Sequence, residues 1–268
     1  MTERSKAAAA EIAAVQKPIW NRGADTYADA FAGTVDQGVA PTLDGAGVVA
    51  GTRVLDVATG PGIIAAAAAE RGATATGVDF AADMIAVARR THPGIAFKVA
   101  DAANLPFDEA SFDAVVMGFA LFLMAEPDAV LHEAQRVLVS GGRACFSLWD
   151  WPVPGFDLFY SAMAKYLPLE SVVGEPPLMG VSDRGLLARK LEAAGFAEVK
   201  VKPLPIVWEL AEPERLFDAL ATLRDFSSLS DEALREFRAE VAGGTRTYER
   251  DGRCFVPFPA LLLSGTKP

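Results

Sequence analysis

The chain has 268 residues, enough for one large α/β core with additions, and its 51% hydrophobic and 22% charged content is that of an ordinary globular protein. Its 25 basic against 35 acidic residues give a net charge of −10, which argues against a nucleic-acid partner because phosphate binding depends on Lys and Arg. Met1 to Lys6 run straight into alanines without an apolar core of signal length, and no apolar stretch of about 18 residues occurs, so a cytoplasmic protein without a membrane span is expected.

Residues 1–50 carry the run Ile-Trp20-Asn-Arg-Gly-Ala-Asp-Thr-Tyr27, read as a helical lid or, alternatively, as a helix anchored on a sheet by its aromatics. From residue 51 to 150 strands and helices alternate, which predicts a doubly wound, mostly parallel sheet with helices on both faces. Val54 to Gly62 reads Val-Leu-Asp-Val-Ala-Thr-Gly-Pro-Gly, an apolar strand entering a glycine turn, and the helix-forming run Ile63 to Glu70 follows at once. Gly60 and Gly62 permit backbone angles closed to other residues, so a ligand can lie against the main chain at a helix N-terminus. Gly60-x-Gly62-x-x-Ala65 also fits the dinucleotide fingerprint, a weak signal alone.

Three acids separate the readings. Asp56 precedes Gly60 by four residues, where it would repel a pyrophosphate and attract a cation. The strand Thr74 to Val78 ends in Asp79, 19 residues after Gly60 (79 − 60), where a carboxylate can accept from two ribose hydroxyls. The strand Ala96 to Ala100 ends in Asp101, placed to accept from an exocyclic adenine amine. Three acids and no basic residue in the loop favour S-adenosylmethionine over a dinucleotide.

Further along, Ala81 to Thr91 reads as a helix ended by Pro93, Phe112 to Leu121 as a central strand, Glu126 to Val139 as a helix stopped by Gly141-Gly142, and Arg143 to Trp149 as another central strand. Residues 151–181 turn to aromatics, prolines and Met, including Trp151, Phe156, Tyr160, Pro176, Pro177 and Met179. In residues 182–268 a helix Ser182 to Ala194 precedes a strand Glu198 to Leu210, two helices (Pro213 to Phe226, Asp231 to Val241) and a closing strand Cys254 to Thr266. Cys145 and Cys254, the only cysteines, fall in strands and read as small buried hydrophobes. His92, in the turn Thr-His-Pro-Gly, is expected at the surface at the sheet end away from the ligand, and His132 on an exposed helix face.

Taken in order, Val54 to Gly62, Gly77-Val-Asp-Phe80-x-x-x-Met84, Asp101-x-x-Asn-Leu-Pro-Phe107, Phe112-Asp-Ala-Val-Val and Arg136-Val-Leu-Val-Ser-Gly-Gly142 resemble the class I S-adenosylmethionine-dependent methyltransferases, nearest to the ubiquinone and menaquinone biosynthesis branch. The resemblance implies a Rossmann-like seven-stranded α/β fold, a cap from residues 151–181 over an acceptor pocket, and Met84 beside Phe80 against adenine. The candidate cofactor set is Tyr27, Asp56, Ala58, Gly60, Pro61, Gly62, Asp79, Phe80, Met84, Asp101, Ala102 and Met117. Methyl transfer from a sulfonium needs alignment and exclusion of water rather than a metal, and an apolar or aromatic wall tolerates the dispersing charge. Trp20, Phe119, Phe122, Trp149, Trp151, Phe156 and Tyr160 are the candidates for the acceptor side; no general base is assigned.

The expected activity is methylation of a small, fairly apolar acceptor at C, O or N. After the fourth strand the run Met117-Gly-Phe-Ala-Leu-Phe-Leu123 lacks the polar and basic residues expected of the quinone enzymes, so a secondary-metabolite or lipid-like acceptor stands beside a quinone precursor. An NAD-dependent oxidoreductase, disfavoured by Asp56 and Asp101, and an S-adenosylmethionine-binding protein without methyl transfer are the alternatives. Assembly as a homodimer is left open.

Overall fold

A computed structural model describes residues 3–167 and 178–268. Two helices, α1 (Glu3–Gly23) and α2 (Tyr27–Gly45), precede β1 (Arg53–Val57), and then α3 (Ile63–Glu70), β2 (Thr74–Asp79), α4 (Ala82–Thr91), β3 (Ala96–Val99) and β4 (Phe112–Gly118) follow. A 3-10 turn (Leu121–Leu123) leads to α5 (Pro127–Val137), β5 (Leu138–Trp149) and α6 (Pro154–Met163). The remainder is α7 (Arg184–Ala193), β6 (Ala197–Leu204), β7 (Val207–Leu210), α8 (Glu214–Ala221), α9 (Asp231–Thr245), β8 (Glu249–Arg250), β9 (Arg253–Pro257) and β10 (Ala260–Thr266).

Seven strands form one sheet in the order β3-β2-β1-β4-β5-β10-β6. The first five run parallel, and β10 lies antiparallel between β5 and β6. The fold is a Rossmann-like, mostly parallel α/β sheet. Alternation along the strands divides the core. Val54, Ala114, Val116 and Cys145 pack with α2, α3 and α4, while Leu55, Val57, Val115, Met117 and Phe146 pack with α5 and α7. Both faces are therefore covered, and central strands can be apolar throughout.

Several elements differ from the expectation. Residues 198–210 and 254–266 are each two strands in different sheets: β6 and β10 complete the large sheet, whereas β7, β9 and β8 form a separate three-stranded one. Pro205 and the Pro257-Phe258-Pro259 segment mark the breaks, since proline cannot donate to a ladder. Gly141-Gly142 does not stop a helix. α5 passes directly into β5, and both glycines sit inside that strand, Gly141 at φ +78° and Gly142 against the carbonyls of Val139 and Asp113. β4 ends at Gly118, three residues short of the expected Leu121. Cys145 and Cys254 are buried free thiols. Pro176 and Pro177 of the expected cap lie outside the described residues, whereas α6 lies within them.

Candidate functional site

The strand order reverses direction at β1, between β2 and β4, and a ligand crevice is expected at the carboxyl ends of such strands. A cleft opens there, at the switch point where small-molecule sites of such sheets sit. The β1–α3 turn forms its floor, and its conformation follows from alternate left-handed residues: Ala58 (φ +54°), Gly60 (φ +54°) and Gly62 (φ +92°). Ala58 holds this conformation despite its Cβ, a strain typical of functional turns. A Cβ on Gly62 would come within 2.9 Å of the Phe97 ring and 3.0 Å of His92, so only glycine fits; one on Gly60 would meet nothing nearer than Met84 Sδ at 4.0 Å. His92 is accordingly half-buried against the glycine turn, not on a remote surface.

Asp56 and Asp79 brace this turn in different ways. Asp56 is 1% exposed; its Oδ2 accepts from Thr59 Oγ1 at 2.6 Å and from the Ala65 N–H at 3.0 Å, capping the first turn of α3 from a distance. Its Oδ1 is buried with no partner. Burial, only partly offset by those bonds, raises the Asp56 pKa to about 7, with the nearby Asp79 adding to the rise. Asp79 spends one oxygen on the Gly60 N–H and the other on the Ala81 N–H, both at 2.9 Å. Burial raises its pKa, and its backbone donors oppose the rise.

The rest of the wall is apolar and aromatic. Trp20 meets Tyr27 edge-on at 5.8 Å, and Tyr27 packs on Phe31 at 5.0 Å. Burial first, then the Asp79 charge, raises the Tyr27 pKa, so its hydroxyl stays protonated. Phe119, left-handed at φ +50°, is clamped between Trp149, whose ring centroid is 4.2 Å away, and Gly38.

Of the candidates, Tyr27, Asp56, Ala58, Gly60, Pro61, Asp79, Phe80, Met84, Trp20 and Phe119 line the cleft. The others do not. Gly62 lies beneath the turn; Asp101 is exposed, its Oδ1 accepting the Ala103 N–H; Ala102 shares that turn; and Met117 points to the opposite face of β4. Phe122 is in the core, Trp149 stands one layer behind Phe119, and Trp151 stacks on Phe156 of α6, which packs at a tilt on Tyr160 of the same helix. Sequence reasoning missed Gln16, Val35, Thr59, Ile63, Ile64, Gly118, Ala120, Leu123 and Met124. Thr59 stood inside the quoted glycine turn and could have been read as the hydroxyl partner of Asp56. Gln16, which donates to the Leu123 carbonyl at 2.8 Å, carries no local signal.

Among the described residues the cleft thus joins two buried carboxylates to an apolar wall without any Lys, Arg or His lining it, and one carboxylate oxygen has no donor. Such a setting suits a ligand that brings a cation and hydroxyl donors, and the adenosyl and amino-acid parts of S-adenosylmethionine meet that need. Residues 55–146 match the family model described as a methyltransferase domain. A demethylmenaquinone methyltransferase of Clavibacter sepedonicus is 39% identical over 178 residues, 58% of this chain and 70% of that protein. A second, from Renibacterium salmoninarum, is 38% identical over 47% of this chain and 52% of its own length. In the fold alone, the chain is similar to Haemonchus contortus phosphoethanolamine N-methyltransferase 2 in complex with S-adenosyl-L-methionine, with a TM-score of 0.57 at 19% identity over 92% of this chain and 57% of that one.

The chain belongs to the class I S-adenosylmethionine-dependent methyltransferases, in the branch of the demethylmenaquinone methyltransferases. It is an enzyme whose cofactor is S-adenosylmethionine; neither the oxidoreductase nor the non-transferring alternative finds support. Among the described residues no helix is long and apolar enough to cross a membrane, and no cluster of His, Cys, Asp or Glu could hold a metal ion.

Proposed function

We propose that this enzyme methylates a small, largely apolar acceptor held against Val35, Ile63, Phe119, Ala120, Leu123 and Met124, with residues 51–150 binding the cofactor. The observation that carries the reading is the division of the cleft wall: acids and exposed backbone at the β1–α3 turn, apolar side chains beyond it. In this reading Asp79 accepts from the ribose hydroxyls, Phe80 and Met84 flank the adenine, and Asp56 faces the amino-acid end. The cofactor, when bound, supplies a methyl group activated by its sulfonium. The protein's part is alignment, which can supply much of the barrier reduction, and exclusion of water.

Residues 1–50 act as the lid in this proposal, with Trp20 and Gln16 of α1 over the mouth. Residues 151–181 cap the acceptor and residues 182–268 complete the sheet. The protonated Tyr27 hydroxyl can donate to an oxygen of the acceptor but cannot take a proton from it. The curated relatives are named for a demethylmenaquinone substrate, and a quinol of that type fits the apolar wall, as does a lipid-like phenol. The net charge of −10 keeps nucleic acids outside the proposal, and the setting we assign is the cytoplasm. Incubation with labelled S-adenosylmethionine and a panel of quinols, phenols, amines and fatty acids, followed by mass detection, tests it. A methylated quinol or phenol is the expected product, and methylation of amines alone would refute the acceptor class.

A further inference from the structure

We infer that a proton sits on Asp56 Oδ1 in the ligand-free cleft and is expelled when a ligand ammonium takes its place. This rests on the cofactor reading of the same cleft. It goes further by assigning one atom two successive occupants and by coupling cofactor binding to proton release.

The geometry distinguishes the two acids. Asp79 has a backbone donor on each oxygen, which supports the ionised form even though it is buried. Asp56 has both of its donors on Oδ2, while Oδ1 is sealed from solvent and unpartnered on a residue only 1% exposed. An ionised carboxylate with one bare, desolvated oxygen is costly, and protonating that oxygen removes the cost. Among the described residues the groups around it supply no alternative counter-charge. α3 offers only the Ala65 N–H already in use, the turn only the Thr59 hydroxyl, β2 the like-charged Asp79, and α2 the neutral Tyr27. α1 contributes Gln16, β4 contributes Gly118, and His92 at the end of α4 lies behind Gly62 rather than in the cleft wall.

When the lining around the sealed Oδ1 shifts to admit a ligand ammonium, an N–H···O⁻ bond replaces the O–H and the proton leaves to the buffer. The direction follows from the Asp56 pKa of about 7: below it, binding must displace a proton, so affinity falls as pH falls; above it, the carboxylate is already ionised and affinity levels off.

The test is calorimetric titration of the intact protein with S-adenosylhomocysteine in buffers of different ionisation enthalpy. Release approaching one proton per site well below the Asp56 pKa of about 7 is expected, fading well above it, with affinity dropping up to about tenfold per pH unit on the acid side. Asp56→Asn, isosteric and able to keep one acceptor for Thr59 or Ala65, should bind without proton release. Asp79→Asn should bind more weakly and keep the release, displaced to lower pH because the charge that helps raise the Asp56 pKa is gone. Binding heats that are identical in all buffers, with pH-independent affinity, would overturn the proton exchange and leave the cofactor reading standing. Absence of any binding heat or competition from S-adenosylhomocysteine would overturn both. Should Asp56→Asn fail to fold, the buffer series on the unaltered protein decides alone.

Discussion

Asp79 joins the glycine turn to the proposed ribose contact, and removing its carboxylate should show two separable losses. Asp79→Ala strips the acceptor from the Gly60 and Ala81 N–H groups, each now bonded at 2.9 Å. A buried donor left unsatisfied costs about 1 to 3 kcal/mol, so two cost about 2 to 6. Relief of a desolvated charge, evident in the raised pKa of this group, offsets part of that, and a stability loss of about 2 to 4 kcal/mol is expected. For the ligand, losing a charged acceptor for its ribose hydroxyls should weaken S-adenosylhomocysteine by about 1 to 3 kcal/mol, or about 5- to 150-fold in Kd. Asp79→Asn separates the effects, since it retains one carbonyl acceptor for the turn and lacks the charge. Urea denaturation reads the first loss and calorimetric titration the second. Unchanged affinity in a folded Asp79→Asn protein would remove Asp79 from the ligand site and leave it as a brace of the turn.

Stability of the ligand-free protein should fall between about pH 4 and pH 7, because the Asp56 pKa is raised from 3.8 to about 7 and the folded state then holds a proton that the unfolded state has lost. Asp56→Asn should therefore be more stable than the unaltered protein at pH 8, by about 4 kcal/mol at most, and the gain should vanish near pH 4; thermal unfolding across this range that shows no such convergence would count against the protonated carboxyl. Gly38→Ala would set a Cβ 2.6 Å from Phe119 Cε2, and the ring cannot retreat through Trp149 behind it. Denaturation should show a loss of about 1 to 3 kcal/mol, less about 1 kcal/mol gained in helix propensity, whereas an unchanged midpoint would mean that the Phe119 ring is free to swing. Gln16→Ala removes the bond from α1 to the Leu123 carbonyl, worth about 1 kcal/mol, and should speed hydrogen exchange in α1 while sparing β1 and α3; unchanged exchange would show that α1 is held by other contacts.

What the sequence disclosed and what it concealed divide along the range of the interactions concerned. β1, the glycine turn, α3 and the Asp79 tip were legible because each is dictated within a few residues: an apolar run long enough for a buried strand, glycines where φ must be positive, and an alanine-rich helix behind them. The parallel order followed from alternation alone. The C-terminal strands were not separable by that logic. β6 and β7 share an alternating pattern with only Pro205 and Ile206 between them, and the decision to place one beside β10 and the other beside β9 is made by pairing between residues far apart in the chain. Asp101 and Met117 are the complementary case, named from the motif but outside the lining of the cleft. Both stand at a strand tip as the motif requires, but the turn after β3 spends Asp101 on its own backbone, and the pleat of β4 sends Met117 to the far face while Gly118 meets the cleft.

The proposed acceptor side was least legible, and the construction of the cleft there explains why. Its lining comes from α1, α2, α3 and the segment after β4, which are joined only in the folded state, and each contributes residues such as Val35 or Leu123 that look like ordinary core in sequence. The aromatics that attract attention in sequence, Trp149, Trp151, Phe156 and Tyr160, instead form layers behind that wall. Trp149 stacks on Phe119, which has a left-handed backbone conformation, and meets Phe156 edge-on. Acceptor choice should then respond to substitutions one layer back, with Trp149→Leu freeing the Phe119 ring more effectively than any change to a residue the acceptor touches.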